Sequence, residues 1–126
     1  MPIPDFQSIM LPLLRLTEDK QEHSFREAVE HISREFDITE EEKKVLQPSG
    51  KQAIIENRVS WARIYLIKAG LLESSRRSFF RITDRGSKVL LTNPKRIDKR
   101  YLERLPGYVK FKTSGKRKGN LPHLEQ

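Results

Sequence analysis

Residues 58–83 read RVSWARIYLIKAGLLESSRRSFFRIT, and the fold turns on this stretch. Val59, Ala62, Leu66 and Ala69 recur at helical spacing, and Gly70 stands where a helix ends in a left-handed residue. Leu71-Leu72-Glu73 and Phe79-Phe80-Arg81-Ile82 then flank Ser74-Ser75-Arg76-Arg77-Ser78, a five-residue loop between two apolar runs. That is a hairpin pattern, although it lacks the Asn-Gly or Gly-Gly of the tightest turns. The stretch therefore predicts a helix over 58–69, a sharp stop, and a hairpin tipped with adjacent arginines.

Upstream, Asp5 is a plausible N-cap for a helix from Phe6 to Leu16, with Phe6, Ile9, Met10, Leu13 and Leu14 as its apolar stripe. Pro12 lies inside it and predicts a kink or a late start, not a break. Thr17 to Lys20 read as a polar loop, and Gln21-Glu22-His23 as a short strand pairing with the hairpin. Ser24 with Glu27, and Thr39 with Glu42, each have the capping-box spacing. The first opens a helix with Phe25, Ala28, Val29, Ile32 and Phe36 on one side; the second opens a short helix through Leu46. Gln47-Pro48-Ser49-Gly50 is a turn that leaves Lys51 and Gln52 on a loop, and Asn57 is a candidate N-cap for the helix that follows.

Downstream, Thr83 or Asp84 caps a helix carrying Val89, Leu90 and Leu91, stopped by Asn93-Pro94. Residues 96–104 predict one more amphipathic helix with Ile97, Tyr101, Leu102 and Leu105 inward, and Tyr108, Val109 and Phe111 follow as a short alternating run. From Thr113 the chain is nearly devoid of apolar residues and reads as linker or tail. The fold class is mostly α with a small sheet: a winged helix-turn-helix over 1–93, a helical extension packed on it over 94–112, and a basic tail over 113–126. The 58–69 helix is then the recognition helix and the hairpin the wing.

Charge separates the two halves. Residues 1–49 carry six Lys/Arg against eleven Asp/Glu, and residues 50–126 nineteen against six, within an overall net charge of +8. A polyanionic partner for the second half follows from that asymmetry, with nucleic acid favoured over a membrane surface because no long basic amphipathic helix is present. There is no cysteine, no apolar run long enough to span a bilayer, and no basic-then-apolar N-terminus, so thiolate metal sites, membrane insertion and secretion are not expected. The expected localisation is cytoplasmic.

Candidate DNA-contacting residues follow from position. Asn57, Arg58, Ser60 and Arg63 occupy the early turns of the recognition helix, from which side chains reach base edges in a major groove. Arg76, Arg77 and Ser78 lie at the wing tip, where no core needs filling and guanidinium groups meet phosphate well. Lys51 and Gln52 precede the helix and can clasp the backbone; Lys116-Arg117-Lys118 can add non-specific affinity. Against these stand plainer readings: a salt bridge from Arg58 or Arg63 to Glu56 or Glu73, a merely solubilising wing tip, and Trp61 as core. The recognition helix also carries Trp61, Ile64, Tyr65 and Ile67 outside its main stripe, which predicts burial on two sides or an apolar surface for a partner.

Enzymatic readings fail on spacing. Asp5 with Glu41, Glu42 and Lys43 imitates a restriction nuclease's acidic residues and lysine, but they fall in helix starts rather than on adjacent strands that could hold Mg²⁺. Ser49-Gly50-Lys51 lacks the first glycine of a phosphate loop, since residue 45 is Val, and Gln52 replaces its Ser/Thr. His31 and Glu35 share a helix face without a third ligand, and His23 and His123 read as isolated. No cofactor or metal is expected.

Five segments taken together carry a resemblance: PDFQSIMLPLLRL, HSFREAVEHISREFDITEEE, LQPSGKQ, NRVSWARIYLIKAGLLES and FRITDRGSKVL, in that order. The sequence resembles the N-terminal domain of Mrr-type restriction proteins over about residues 2–105, with WARIYLIKAGLLE and RITDRG the most specific pieces. The resemblance implies a winged-helix module that binds double-stranded DNA. It also implies a parent protein that is an Mg²⁺-dependent, type IV-like endonuclease acting on foreign, modified DNA. The family's C-terminal nuclease segments have no counterpart in these residues, so the expectation is a targeting domain that does not cut. The alternative is a protein-interaction winged helix that forms a homodimer or docks on the nuclease domain.

Overall fold

A computed structural model describes residues 3–105 and 108. Among these residues six α-helices accompany a three-stranded antiparallel sheet: α1 (Phe6–Leu16), β1 (His23–Ser24), α2 (Phe25–Glu35), α3 (Glu40–Lys43), α4 (Ile54–Lys68), β2 (Leu72–Arg76), β3 (Phe79–Ile82), α5 (Asp84–Leu91) and α6 (Lys99–Glu103). The mostly α, winged-helix-like class read from the sequence is the one observed. Val109, Phe111 and the 113–126 tail lie outside the described residues.

Local chemistry sets most boundaries. The Ser8 amide donates to Asp5 Oδ1 at 2.8 Å, so α1 begins at Phe6 despite Pro12 within it. Both capping boxes form, at Ser24/Glu27 and Thr39/Glu42, each cap contributing about 1 kcal/mol. The helix opened by Thr39 is only one turn, ending at Lys43 rather than Leu46. Thr17–Asp19 is a 3₁₀ turn rather than a loop, with Thr17 buried and its hydroxyl donating to the Leu14 carbonyl at 2.7 Å.

The central element is α4. It starts four residues earlier than expected, with Ala53 as N-cap, so Asn57 is not a cap but a buried residue of the first turns. Residues 45–54 close on themselves before it: Leu46 bridges Ala53, the Gln47 amide donates to the Gln52 carbonyl at 2.8 Å, and the Ile54 amide donates to the Val45 carbonyl at 2.8 Å. These bonds satisfy the loop's own backbone and carry Ala53 into the helix without a side-chain cap.

At its other end α4 stops at Gly70, whose φ of +79° is strained for any residue with a Cβ. The Gly70 amide donates to Ile67 O and the Leu71 amide to Leu66 O, the paired bonds of a Schellman stop. The Thr83 side chain then donates to Gly70 O at 2.6 Å, and its amide to Leu71 O at 3.0 Å, while its hydroxyl accepts from the Gly86 amide to cap α5. A Cβ on Gly86 would stand 2.3 Å from Leu71 O and 2.6 Å from Ile82 Cγ1. KAGLL and RITDRG are therefore two halves of one joint, in which the ends of α4 and β3 and the start of α5 share backbone bonds.

Around α4 the core is continuous. Ile9, Met10, Leu13 and Leu14 of α1, Ala28 and Ile32 of α2, Phe80 of β3, Ile97 and Leu102 join Val59, Ala62 and Leu66 there. The second apolar side of α4 is covered as well: Phe6 stacks on Tyr65 at 5.2 Å and lies 6.0 Å from Trp61. Trp61 is thus part of the packing. No residue of α4 reaches full exposure.

The sheet order is β1-β3-β2. His23 and Ser24 pair with Phe80 and Phe79, so the expected extra strand exists. The hairpin differs from its reading. β2 continues through Arg76, which pairs with Phe79, with a bulge between Ser74 and Arg76. Only Arg77 and Ser78 form the connection, and Ser78 takes the left-handed conformation at φ 66° that an Asn or Gly would usually supply. A polar edge strand gave no alternation for the sequence to reveal.

Candidate nucleic-acid interface

The nine residues singled out as DNA-contacting do not stay together. Gln52, Ser60, Arg63, Arg77 and Ser78 line one groove of ≈ 340 Å³, with Phe25 as its remaining wall. Three structural devices make it. The Phe25 amide donates to Ser78 O at 2.8 Å, which ties the wing turn to the start of α2. The Asn57 side chain donates to Gln52 Oε1 at 3.3 Å, holding the pre-helix loop against α4. Ser60 and Arg63 lie three apart on one side of α4 and form the floor.

Arg63 is the unusual member. Its side chain is largely withdrawn from solvent, its guanidinium sits over the Phe25 ring at 5.7 Å, and its Nε is buried without a hydrogen-bond partner among the described residues. Burial pushes its pKa below the usual arginine range, although a guanidinium remains charged. The alternative, a salt bridge from Arg63 to Glu56 or Glu73, is not formed among the described residues; Glu73 instead accepts from Arg81 at 2.7 Å. Arg77 is exposed at the wing turn, Lys51 is exposed on the adjoining loop, and no carboxylate among the described residues lines the groove. Its lining therefore carries positive charge without an internal counter-ion.

Three residues are placed elsewhere. Arg58 is on the far side of α4, where Nη1 donates to the Pro4 carbonyl at 3.2 Å; five residues along a helix from Arg63, it cannot turn to the same groove. Asn57 is 3 % exposed and acts on Gln52 from behind. Arg76 leaves the tip: Nη2 pairs with Glu22 at 3.2 Å and the guanidinium stacks on Phe79 at 3.8 Å. The Arg76 and Ser75 bonds hold the Glu22 carboxyl below the usual carboxylate range. In this structure Asn57 bonds Gln52, Arg58 bonds Pro4 and Arg76 is engaged by Glu22 and Phe79, so the groove lining brings together five of the nine expected contact residues.

Sequence reading missed Phe25 as a groove wall, since its helical spacing assigned it wholly to the core. It also missed Glu22, which meets Arg76 across 54 positions of chain. His23 is not isolated: its ring nitrogens face Asp19 at 2.9 Å and Glu27 at 2.7 Å. Burial works against its charged form, but the two carboxylates outweigh it and raise the pKa. This cluster braces β1 against α2 and lies outside the groove lining.

Among the described residues, no group of three or more His, Asp or Glu side chains could hold a metal, and no helix is long and apolar enough to cross a membrane. No curated protein and no solved structure matches the chain. A family model for the Mrr N-terminal domain matches residues 6–92, from the first residue of α1 to just past the end of α5. With more than half its length matched, and with the α4–α5 joint inside the matched span, the chain belongs to the Mrr N-terminal domain family, a domain of restriction-system proteins.

Proposed function

We propose that this domain binds duplex DNA and targets a restriction protein to it, with the groove between the wing, α4 and the 45–54 loop as the contact surface. The observation that carries the reading is the convergence of Gln52, Ser60, Arg63, Arg77 and Ser78 on one groove without a carboxylate, beside exposed Lys51. Arg63 and Arg77 offer forked donors to phosphate oxygens, and Gln52 and Ser60 offer neutral hydrogen bonds. Asn57 supports by fixing Gln52. Since the residues of α4 are buried or only partly exposed, the domain contacts the backbone through the groove and wing more than it reads bases along the helix. In the same reading the cutting is done by a separate nuclease domain and the DNA is foreign and modified, as in restriction systems of this family.

The interaction-module alternative rests on the surplus apolar residues of α4 and on the acidic N-terminal half. Trp61 and Tyr65 are now accounted for by Phe6, which leaves duplex binding the better supported reading. With Lys51 on one phosphate and Arg63 and Arg77 sharing another, log affinity should fall against log salt with a slope of about −2. Titration of matched methylated and unmethylated duplexes at several salt concentrations tests this. A salt-independent affinity, or a stable dimer that shifts no DNA, would discard the proposal.

A further inference from the structure

The groove holds one feature that a merely cationic surface would not need. Most surface arginines keep their donors in water, yet Arg63 is drawn in beside Phe25 with Nε buried and unpartnered among the described residues. An unsatisfied buried donor of a charged group is costly, and a ligand whose acceptors meet the guanidinium where Arg63 lines the groove would offset that cost. Among the described residues no carboxylate lines the groove and none meets Arg63 Nε. Ser60 and Gln52 line the same groove, and Arg77 joins its lining from the wing. Such a set, one inner and one outer guanidinium with two neutral donors, suits a compact tetrahedral oxyanion better than an extended apolar or cationic ligand.

We infer that the groove is a discrete phosphate-binding subsite, in which Arg63 and Arg77 clamp a single phosphate group from opposite walls with Ser60 and Gln52 donating between them. The physiological source, a phosphodiester of duplex DNA, rests on the function proposed above; a free phosphate group would present the same oxygens. Occupancy joins the wing to α4, so one phosphate would fix the register of the domain on DNA while Lys51 adds affinity alone.

The test follows the Arg63 Nε–H resonance by NMR in the full chain, adding inorganic phosphate at constant ionic strength and, separately, a short duplex with hydroxyl ends. The expected result is a saturable shift of that resonance with each, and competition between them. Followed instead at the Ser78 backbone amide, which the substitution leaves in place, the phosphate response should vanish in R63Q, and duplex binding should weaken about tenfold or more, as for loss of a charge-assisted hydrogen bond. R63K, which keeps the charge without the fork, should restore only part of both. Thermal melts of the variants show that they fold. If the duplex binds while the Arg63 resonance stays still, the subsite is wrong and duplex binding stands. If phosphate saturates the resonance and the duplex does not bind, the subsite stands and the DNA reading falls. An Arg63 resonance moved by neither overturns the inference.

Discussion

Arg58 and Arg63 occupy the same helix, five residues apart, and the molecule treats them oppositely. On the Arg58 side, α4 is closed: Pro4 accepts the guanidinium's hydrogen bond, and Phe6 packs over Trp61 and Tyr65. On the Arg63 side it is open: the groove leaves an inner guanidinium with a buried donor unmet among the described residues. A closed side returns the energy of its contacts to folding. An open side withholds some of it, and that reserve becomes available to a ligand. The lesson is that the same residue type serves stability or recognition according to which neighbour the tertiary fold brings to it.

The comparison can be broken most severely at the joint that both sides depend on. Gly86→Ala forces a Cβ into Leu71 O and Ile82, and neither backbone nor branched side chain yields easily. We expect a loss of about 3 kcal/mol in urea denaturation, at the upper end for overpacking. A near-neutral G86A would mean that α5 rides more loosely on the hairpin than described.

Next comes the contrast itself. Arg58→Ala should cost about 1 kcal/mol of stability through the lost bond to Pro4, with duplex affinity unchanged. The groove side should behave in reverse, with affinity lost in R63Q and little change in its unfolding midpoint. Equal effects of R58A on affinity would erase the distinction between the two sides.

The wing sharpens it further. Arg77→Ala opens the clamp on the shared phosphate and should flatten the salt slope of duplex binding by up to about 0.9, that phosphate's share. Arg76→Ala should leave that slope unchanged, since Arg76 is engaged by Glu22 and Phe79. A slope lowered more by R76A than by R77A would return Arg76 to the contact surface.

The smallest effect belongs to His23. Its folded pKa is raised, so its contribution is fully present below the unfolded value of about 6.5 and is lost as pH rises through the higher folded value. Denaturation midpoints between about pH 5.5 and 8 should fall slightly with rising pH in the native chain, and His23→Gln should remove that part of the dependence. A midpoint that rises over this interval only in the native chain would reverse the sign argued for the Asp19–His23–Glu27 cluster.

How far the sequence could be read depended on the range of the interaction. Ser24/Glu27, Thr39/Glu42, Asp5 and Gly70 act within one turn of their own helix, and each was legible because its partner is three or four residues away. The start of α4 was misread because its loop closes through the Leu46–Ala53 bridge, not through a side-chain cap at Asn57. The length of β2 was hidden because a polar edge strand is held by its partner's backbone, which leaves no trace in its own pattern.

By itself, then, the sequence determined the element order, the apolar faces, the basic character of the second half and the family, because periodicity, caps and composition are local properties. Only the tertiary structure decided which cations remain available. Arg76 is engaged by Glu22 across 54 positions and Arg58 by Pro4 across as many, while Arg63, Arg77 and Gln52 come from three segments to share one groove. Whether a charge is neutralised depends on what lies within a few ångströms of it, and those neighbours are chosen by packing.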